Sequence, residues 1–271
     1  AQDLGYFDSL RIEADSVLEV AKPGEEVDAI TKGTAQAGIG LFGDEFVFKT
    51  GPRPDAYRLI YMCSSSEGAP ATALFVKRPP KKRRRTRIRR LKDLVGKRIG
   101  YLRGTRIEEM LKYILKKEEL DPEKFRFTPL SAFEMDSALQ KDLVDALVAV
   151  EPYRTILLNQ PEKIQLLEDG FLEKNCVSPF VLGVGFTSNV NVRLKKNATQ
   201  RLVKALTLAI KFIRTHPDSA LVIANKHLET PEDLTFALPV FSNYKEVSIP
   251  TLIRWASFLK DASILLFDVD V

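Results

Sequence analysis

The chain is poor in the side chains that most often carry chemistry: its 271 residues include two cysteines and two histidines. Cys63 and Cys176 stand far apart in no metal-binding or redox spacing, which argues against a zinc ribbon, a Cys-x-x-Cys motif or a disulfide scaffold. Two separate, partly buried thiols are expected. His216 precedes a proline at a helix end, and His227 lies near Glu229 in a polar stretch, so neither sits beside a cysteine or serine that it could activate. No catalytic residue, metal ligand or cofactor is therefore expected. Long apolar runs are missing as well. Nothing approaches the roughly 18 uncharged apolar residues of a membrane span. The opening "AQDLGYFDSL" has neither the basic head nor the apolar run of a secretion signal. If the chain is exported, its signal is absent from this sequence.

Acid is missing from one conspicuous place. Residues 77–90, "KRPPKKRRRTRIRR", hold ten of the 41 Lys and Arg and no Asp or Glu. With those ten set aside, 31 basic residues face 36 acidic ones, so the formal charge of +5 becomes −5 for the rest of the chain. The body is mildly acidic with one basic run attached. The run is read first as a solvated surface loop and next as a contact for an anionic protein or lipid surface. Nucleic acid comes last, because no zinc spacing, RNA-binding aromatic motif or recognition-helix pattern accompanies the charge.

At 271 residues and 45% hydrophobic content, the chain can bury two packed lobes or one large α/β domain. Short apolar runs alternate with helical or turn segments, the pattern of an α/β sheet protein. "RIEADSVLEV" (11–20), "TAQAGIG" (34–40), "YRLIYMC" (57–63) and "ATALFVK" (71–77) read as strands, and "GEEVDAITKG" as a helix closed by Gly33. After the basic run comes a βαβαβ pattern. The strand in "GKRIGYLRG" leads to a helix whose Ile107, Met110, Leu111 and Ile114 share one face. "KFRFTPL", a helix over "SAFEMDSALQKD" and the strand "VDALVAV" follow. "PFVLGVGFTSN" (179–189) is a long apolar strand, and the remainder reads as helical, broken at Pro217. No repeat of fixed period is visible.

The stretch "GKRIGYLRGTRIEEML" (96–111) is a strand, a turn of Arg103, Gly104 and Thr105, and a helix. A helix start leaves backbone N–H groups unpaired at the positive end of the macrodipole, so this turn suits a small anion. The plainer role for Thr105 is to cap the helix.

Five pieces in this order resemble one family, the periplasmic binding proteins of the nitrate, sulfonate, taurine and thiamine-precursor group, solute receptors of ABC importers. "AQDLGYFD" is similar to that family's opening Gly-Tyr-Phe helix, and "VDAITKGTAQAGIG" to its next helix-Gly-strand element. "LKDLVGKRIGYLRGT" resembles the start of its second lobe, "DALVAVEPY" its Glu-Pro-Tyr strand, and "GFTSN" with "ATQRLVKALTLAIKFIRTHPDSA" its returning strand and long helix. The resemblance implies an α/β, two-lobed fold of the type II periplasmic-binding-protein kind, with two crossover strands and a helix-rich C-terminal part. Residues 1–76 and 182–271 would form a discontinuous first lobe and residues 77–181 an inserted second.

It further implies an extracytoplasmic solute-binding protein, periplasmic or extracellular and membrane-anchored, and not an enzyme. Such a protein delivers a small anionic or heteroaromatic ligand to the membrane subunits of an ABC importer by hinge closure. Ligand would sit between the lobes, touched by Phe42 and Gly43 of the loop "GLFGDE", Ser64 and Ser65, the turn Arg103, Gly104 and Thr105, Glu151 and Tyr153, and Thr187 on the returning strand. Phe42, Tyr101 and Tyr153 would stack on a flat ring, and Glu151 would accept a ligand amine or pair with Arg103.

Three features depart from the family pattern. The chain starts at the helix that normally follows a first strand, a place that "SILLFDVDV" at the C-terminus could fill. Gln36 stands where an aspartate is usual, and the basic run interrupts the first crossover. Two other functions remain open: a thiamine-pyrimidine synthase-like enzyme, whose metal-binding cysteine and histidine cluster is absent here, and the sensing domain of a membrane signalling protein.

Overall fold

The structure, a computed structural model, describes every residue except 15–16, 21–23, 42, 67, 79–87, 229, 231–233 and 266–271. In chain order its first half runs α1 (Tyr6–Ser9), α2 (Glu25–Thr31), β1 (Ala37–Leu41), α3 (Gly43–Thr50), β2 (Tyr57–Ser64), β3 (Thr72–Lys77), β4 (Arg98–Leu102), α4 (Ile107–Lys117) and β5 (Arg126–Leu130). There follow β6 (Ala146–Val150), α5 (Tyr153–Leu158), β7 (Ile164–Asp169), α6 (Phe171–Asn175), β8 (Val181–Ser188), α7 (Asn189–Leu194), α8 (Lys196–Thr215), α9 (Pro217–Leu228), β9 (Val240–Asn243) and α10 (Ile249–Asp261). Among the described residues, no helix is long and apolar enough to cross a membrane.

The chain divides into two compact α/β units. The first holds Ala1–Ser64 and Val181–Ala256 and is built on a sheet of order β1-β8-β2-β9 with every pair antiparallel. Phe46, Tyr57 and Phe186 form an aromatic cluster there, with Phe46 and Phe186 ring centroids 4.6 Å apart. The second holds Ser65–Phe180 and Ser257–Leu266, on a sheet of order β5-β4-β6-β3-β7. In it β4 pairs in parallel with β5 and β6, while β3 runs antiparallel to β6 and β7. β3 is buried on both faces, which explains its unbroken apolar run "TALFV".

α4 behaves as its periodicity dictates. Ile107, Met110, Leu111, Ile114 and Leu115 are buried, Glu108 and Glu109 occupy its first turn, and Lys116 and Lys117 its last, in line with the macrodipole. α2 ends as read, with Gly33 at φ +76°.

Several expectations change. Residues 11–20 contain no strand among those described, and Val17, Leu18 and Val20 are exposed, because an alternating pattern needs a neighbouring strand to bury its apolar face. The "SAFEMDSALQKD" helix is a single 3-10 turn, Ala132–Glu134, followed by irregular turns, although Met135, Ala138 and Leu139 still reach the core. Asp136 and Ser137 there are residues whose side chains compete with the helical ladder. β9 is a strand in a region read as wholly helical. Residues 65–76, read with the first lobe, fall in the second unit, because β3 pairs with β6 and β7. The end of α10 also joins that unit, where Phe258 packs edge-on against Tyr113 at 5.5 Å. Most of the basic run and the end of "SILLFDVDV" lie outside the described residues.

Candidate functional site

In the second unit β5, β4 and β6 are neighbours running in one direction, so the turns after Leu130, Leu102 and Val150 emerge at one edge of the sheet. Carboxyl ends of parallel strands are where α/β sheets gather binding groups. The sheet thereby brings together Arg103, Gly104 and Thr105 from the first turn and Glu151 and Tyr153 from another.

Gly104 makes the turn at φ +83°, a conformation that side chains resist. The backbone N–H of Arg103 donates to Leu130 O at 2.8 Å, tying the β4 turn to the end of β5. The Arg103 side chain is exposed. Thr105 is buried; its hydroxyl donates to Leu102 O at 2.7 Å and accepts from Ile107 N at 3.4 Å. It therefore staples the turn and meets one helix-start N–H from the position before the N-cap, Arg106, which makes no side-chain cap bond. Beside it, Glu134 accepts from Ser131 N at 2.8 Å and Ser131 Oγ at 2.7 Å. Those donors, with the Arg103 charge, hold the Glu134 carboxyl below the usual range.

Glu151 follows β6 through a cis bond to Pro152. Its carboxylate is one-tenth exposed and accepts from Arg154 at 2.8 Å, Thr155 N at 3.2 Å and Thr155 Oγ1 at 3.0 Å. Its partner is thus Arg154, not Arg103. Arg154 also grips Asp169, with Nε to Oδ1 at 2.7 Å and the second terminal nitrogen to Oδ2 at 2.8 Å. Burial pushes Glu151 up against these donors. Burial opposes the Arg154 charge, yet Asp169 and Glu151 carry its pKa up. The two directions are compatible because the bidentate grip meets the arginine charge chiefly at Asp169, leaving Glu151 less fully compensated. Tyr153 is half-buried against the core around Leu139 and Leu147, and burial raises its phenol. Tyr101, considered for stacking, is buried, and its hydroxyl donates to Glu108 at 2.5 Å.

Ser65 is buried and committed: its Oγ accepts from Phe180 N at 3.0 Å while its own N–H donates to Phe180 O at 2.9 Å.

In the first unit Leu41 and Cys63 both pair with Gly183, so the ends of β1 and β2, bearing Gly43 and Ser64, share an edge. Ser64 is buried there and pairs with Val181. Gly43, expected in a loop, opens α3; Phe42 lies outside the described residues. Thr187 is not brought to that edge. It pairs with Ala37 and Arg58, at the opposite ends of their strands, and its hydroxyl donates to Gln36 O at 2.6 Å. At about 3.3 Å per residue, four residues of β8 separate it from Gly183 by about 13 Å.

Ser131, Glu134, Arg154 and Asp169 were missed from the sequence. The Ser-x-x-Glu spacing of a capping box and the i, i+3 spacing of Glu151 and Arg154 were the available signals. Asp169 carried none. Both cysteines are free thiols. Among the described residues, no group of three or more His, Cys, Asp or Glu is arranged to hold a metal ion.

Comparisons with known proteins follow the same outline. A family model described as NMT1/THI5 like matches residues 80–220, more than half of the chain. No curated protein matches the sequence. Among solved structures, the chain resembles the alkanesulfonate-binding protein SsuA from Xanthomonas axonopodis pv. citri bound to MOPS, at 17% identity and a TM-score of 0.70, over 99% of this chain and 89% of that one. The periplasmic aliphatic sulphonate binding protein SsuA from Escherichia coli also aligns at a TM-score of 0.70, with 14% identity over 98% of this chain and 91% of that one. A Candida albicans gene product, CA3427, described as having the generic periplasmic binding protein fold, aligns at 0.68, with 17% identity over 98% and 86%.

Proposed function

We propose, because this chain belongs to the NMT1/THI5-like family and has the periplasmic-binding-protein fold, that it is an extracytoplasmic solute-binding protein serving an ABC importer. The observation that carries the reading is the gathering of Arg103, Gly104, Thr105, Glu151 and Tyr153 at the carboxyl ends of adjacent parallel strands, with the Arg103 guanidinium exposed. These groups bind; they present no nucleophile paired with a base.

The ligand is a small anion, with a sulfonate the leading class. Arg103 supplies the charge and Tyr153 the apolar wall, while Glu151, spent on Arg154, sets the shape of the turn. Ligand contacts made only in a closed state would shift the population toward closure about Ser64–Ser65 and Phe180–Val181, and the importer's membrane subunits would read that state. The basic run 77–90 offers a contact for an anionic surface.

Mass spectrometry of small molecules released from the purified protein tests the reading, followed by calorimetry with the compound found and with simple sulfonates. Binding of a sulfonate, weakened about tenfold or more by Arg103→Ala, is the expected result. Turnover of a pyrimidine substrate, or affinity unchanged in that variant, overturns it.

A further inference from the structure

The first unit carries a second concavity that this reading does not use. It is an open groove of about 550 Å³, within the roughly 300–1,000 Å³ range of small-molecule sites. One wall is a face of α8: Thr199, Val203 and Thr207 form one i, i+4 row and Gln200, Lys204 and Leu208 the next. The opposite wall is the start of β2, Arg58 to Ile60, beyond the point where β9 stops pairing at Tyr61 and Asn243. Tyr244 and Lys245 close one end, the lysine ammonium 5.7 Å from the tyrosine ring centroid.

The lining has two characters. Leu59, Ile60, Val192, Val203 and Leu208 make it apolar, and Arg58, Lys204 and Lys245 make it cationic. None of the fourteen lining residues is acidic. The adjacent carboxylate, Glu246, is taken by Arg214 at 2.7 and 3.1 Å. The Thr199 and Thr207 hydroxyls donate to Asn191 O and Val203 O, so they add no unmet donor. Arg58 donates to its neighbour Tyr57 O at 2.8 Å, whereas Lys204 and Lys245 are exposed. The groove also lies at the far end of β2 from Ser64; the six steps along the strand from Arg58 to Ser64 span about 20 Å.

We infer that this groove binds a free, singly charged amphiphile, an alkyl carboxylate of medium chain length. Its tail lies along the Val203–Leu208 face of α8 and its head between Lys204 and Lys245. An apolar trough alone would accept a neutral chain. The cationic rim without opposing acid selects the anion, and the absence of a second strongly oriented donor set suits one charge.

Calorimetry with octanoate, decanoate and dodecanoate, each kept monomeric, tests this. Affinity should rise roughly fourfold per methylene, from about 0.8 kcal/mol of burial for each, until the trough is full. Lys204→Glu with Lys245→Glu should weaken decanoate binding by about tenfold or more. Leu208→Asp should abolish it, with melting curves showing that both proteins fold. Arg103→Ala should leave decanoate binding intact, which separates this groove from the site proposed above. Affinity independent of chain length, binding unchanged by the charge reversals, or binding lost in Arg103→Ala would each overturn the inference. So would capture by phosphatidylglycerol vesicles without binding of monomeric decanoate.

Discussion

Arg154 holds Asp169 in a two-pronged grip, at 2.7 and 2.8 Å, while its remaining terminal nitrogen reaches Glu151 at 2.8 Å. The first turn of α5 is thereby fastened to the end of β7 and to the turn that carries Glu151. Arg154→Ala leaves two carboxylates facing each other without their cation. The expected loss is about 3 kcal/mol, the lower end for a broken buried pair, because the Asp169 side chain keeps 35% exposure. Denaturant titration checks it.

Glu151 gives the second turn of that cluster a pH signature. Its carboxyl is pushed up on folding, mainly by burial. Below the ordinary glutamate range, about pH 4, it is protonated in both folded and unfolded chains and its contribution is complete. As pH rises through the folded-state value, the buried site must take up a charge and that contribution is lost. Wild type should therefore lose stability relative to Glu151→Gln as pH rises above about 4. The opposite slope would show a carboxylate stabilised in its charged form.

A close approach fixes Gly185 in β8. A Cβ there would stand 2.2 Å from the Tyr61 ring, and that ring is 7% exposed and has nowhere to go. Gly185→Ala should cost about 1–3 kcal/mol by overpacking, read as a lower midpoint in denaturant. A midpoint equal to wild type would mean that β2 and β8 yield easily.

The turn after β4 separates stability from binding. Thr105→Ala removes the bonds to Leu102 O and from Ile107 N and should cost about 1 kcal/mol of stability. Arg103→Ala, at an exposed side chain, should change stability by less than about 0.5 kcal/mol while weakening the proposed anionic ligand about tenfold. Calorimetry and thermal melting on the two variants read the two effects independently.

Both thiols should be inert in the native protein. Burial pushes Cys63 up to about 12 and raises Cys176 as well, so little thiolate exists at pH 8. A thiol reagent should label neither residue quickly in buffer and both in denaturant. Fast labelling of Cys63 would show that β2 opens readily.

The parts legible from sequence were those whose signal is local. α4 declares itself by Ile107, Met110, Leu111 and Ile114 on one face, β3 by a short apolar run, and the Gly104 turn by its place between strand and helix. The parts missed depended on a neighbour. Residues 11–20 alternate like a strand yet pair with nothing described, and β9 is a four-residue strand whose ladder partner is β2. Of the residues singled out by type and position, Arg103, Gly104, Thr105, Glu151 and Tyr153 lie at one sheet edge, whereas the Thr187 hydroxyl donates to Gln36 O at the end of β8 away from Gly183.

What the amino-acid order determined by itself, then, was the α/β alternation, the apolar faces of its strongly periodic elements such as α4 and β3, and that a glycine-threonine turn opens α4. Spacing along a chain encodes periodicity, and periodicity decides local form. Only the tertiary structure decided that Glu151 answers to Arg154, that Arg154 answers to Asp169, and that three cations share one trough beside α8. Asp169 lies 15 residues beyond Arg154, and the trough sets the start of β2 beside α8, so strand order and burial bring these groups together; Glu151 is three residues from Arg154, and there the fold decided only that Arg154 rather than Arg103 is its partner.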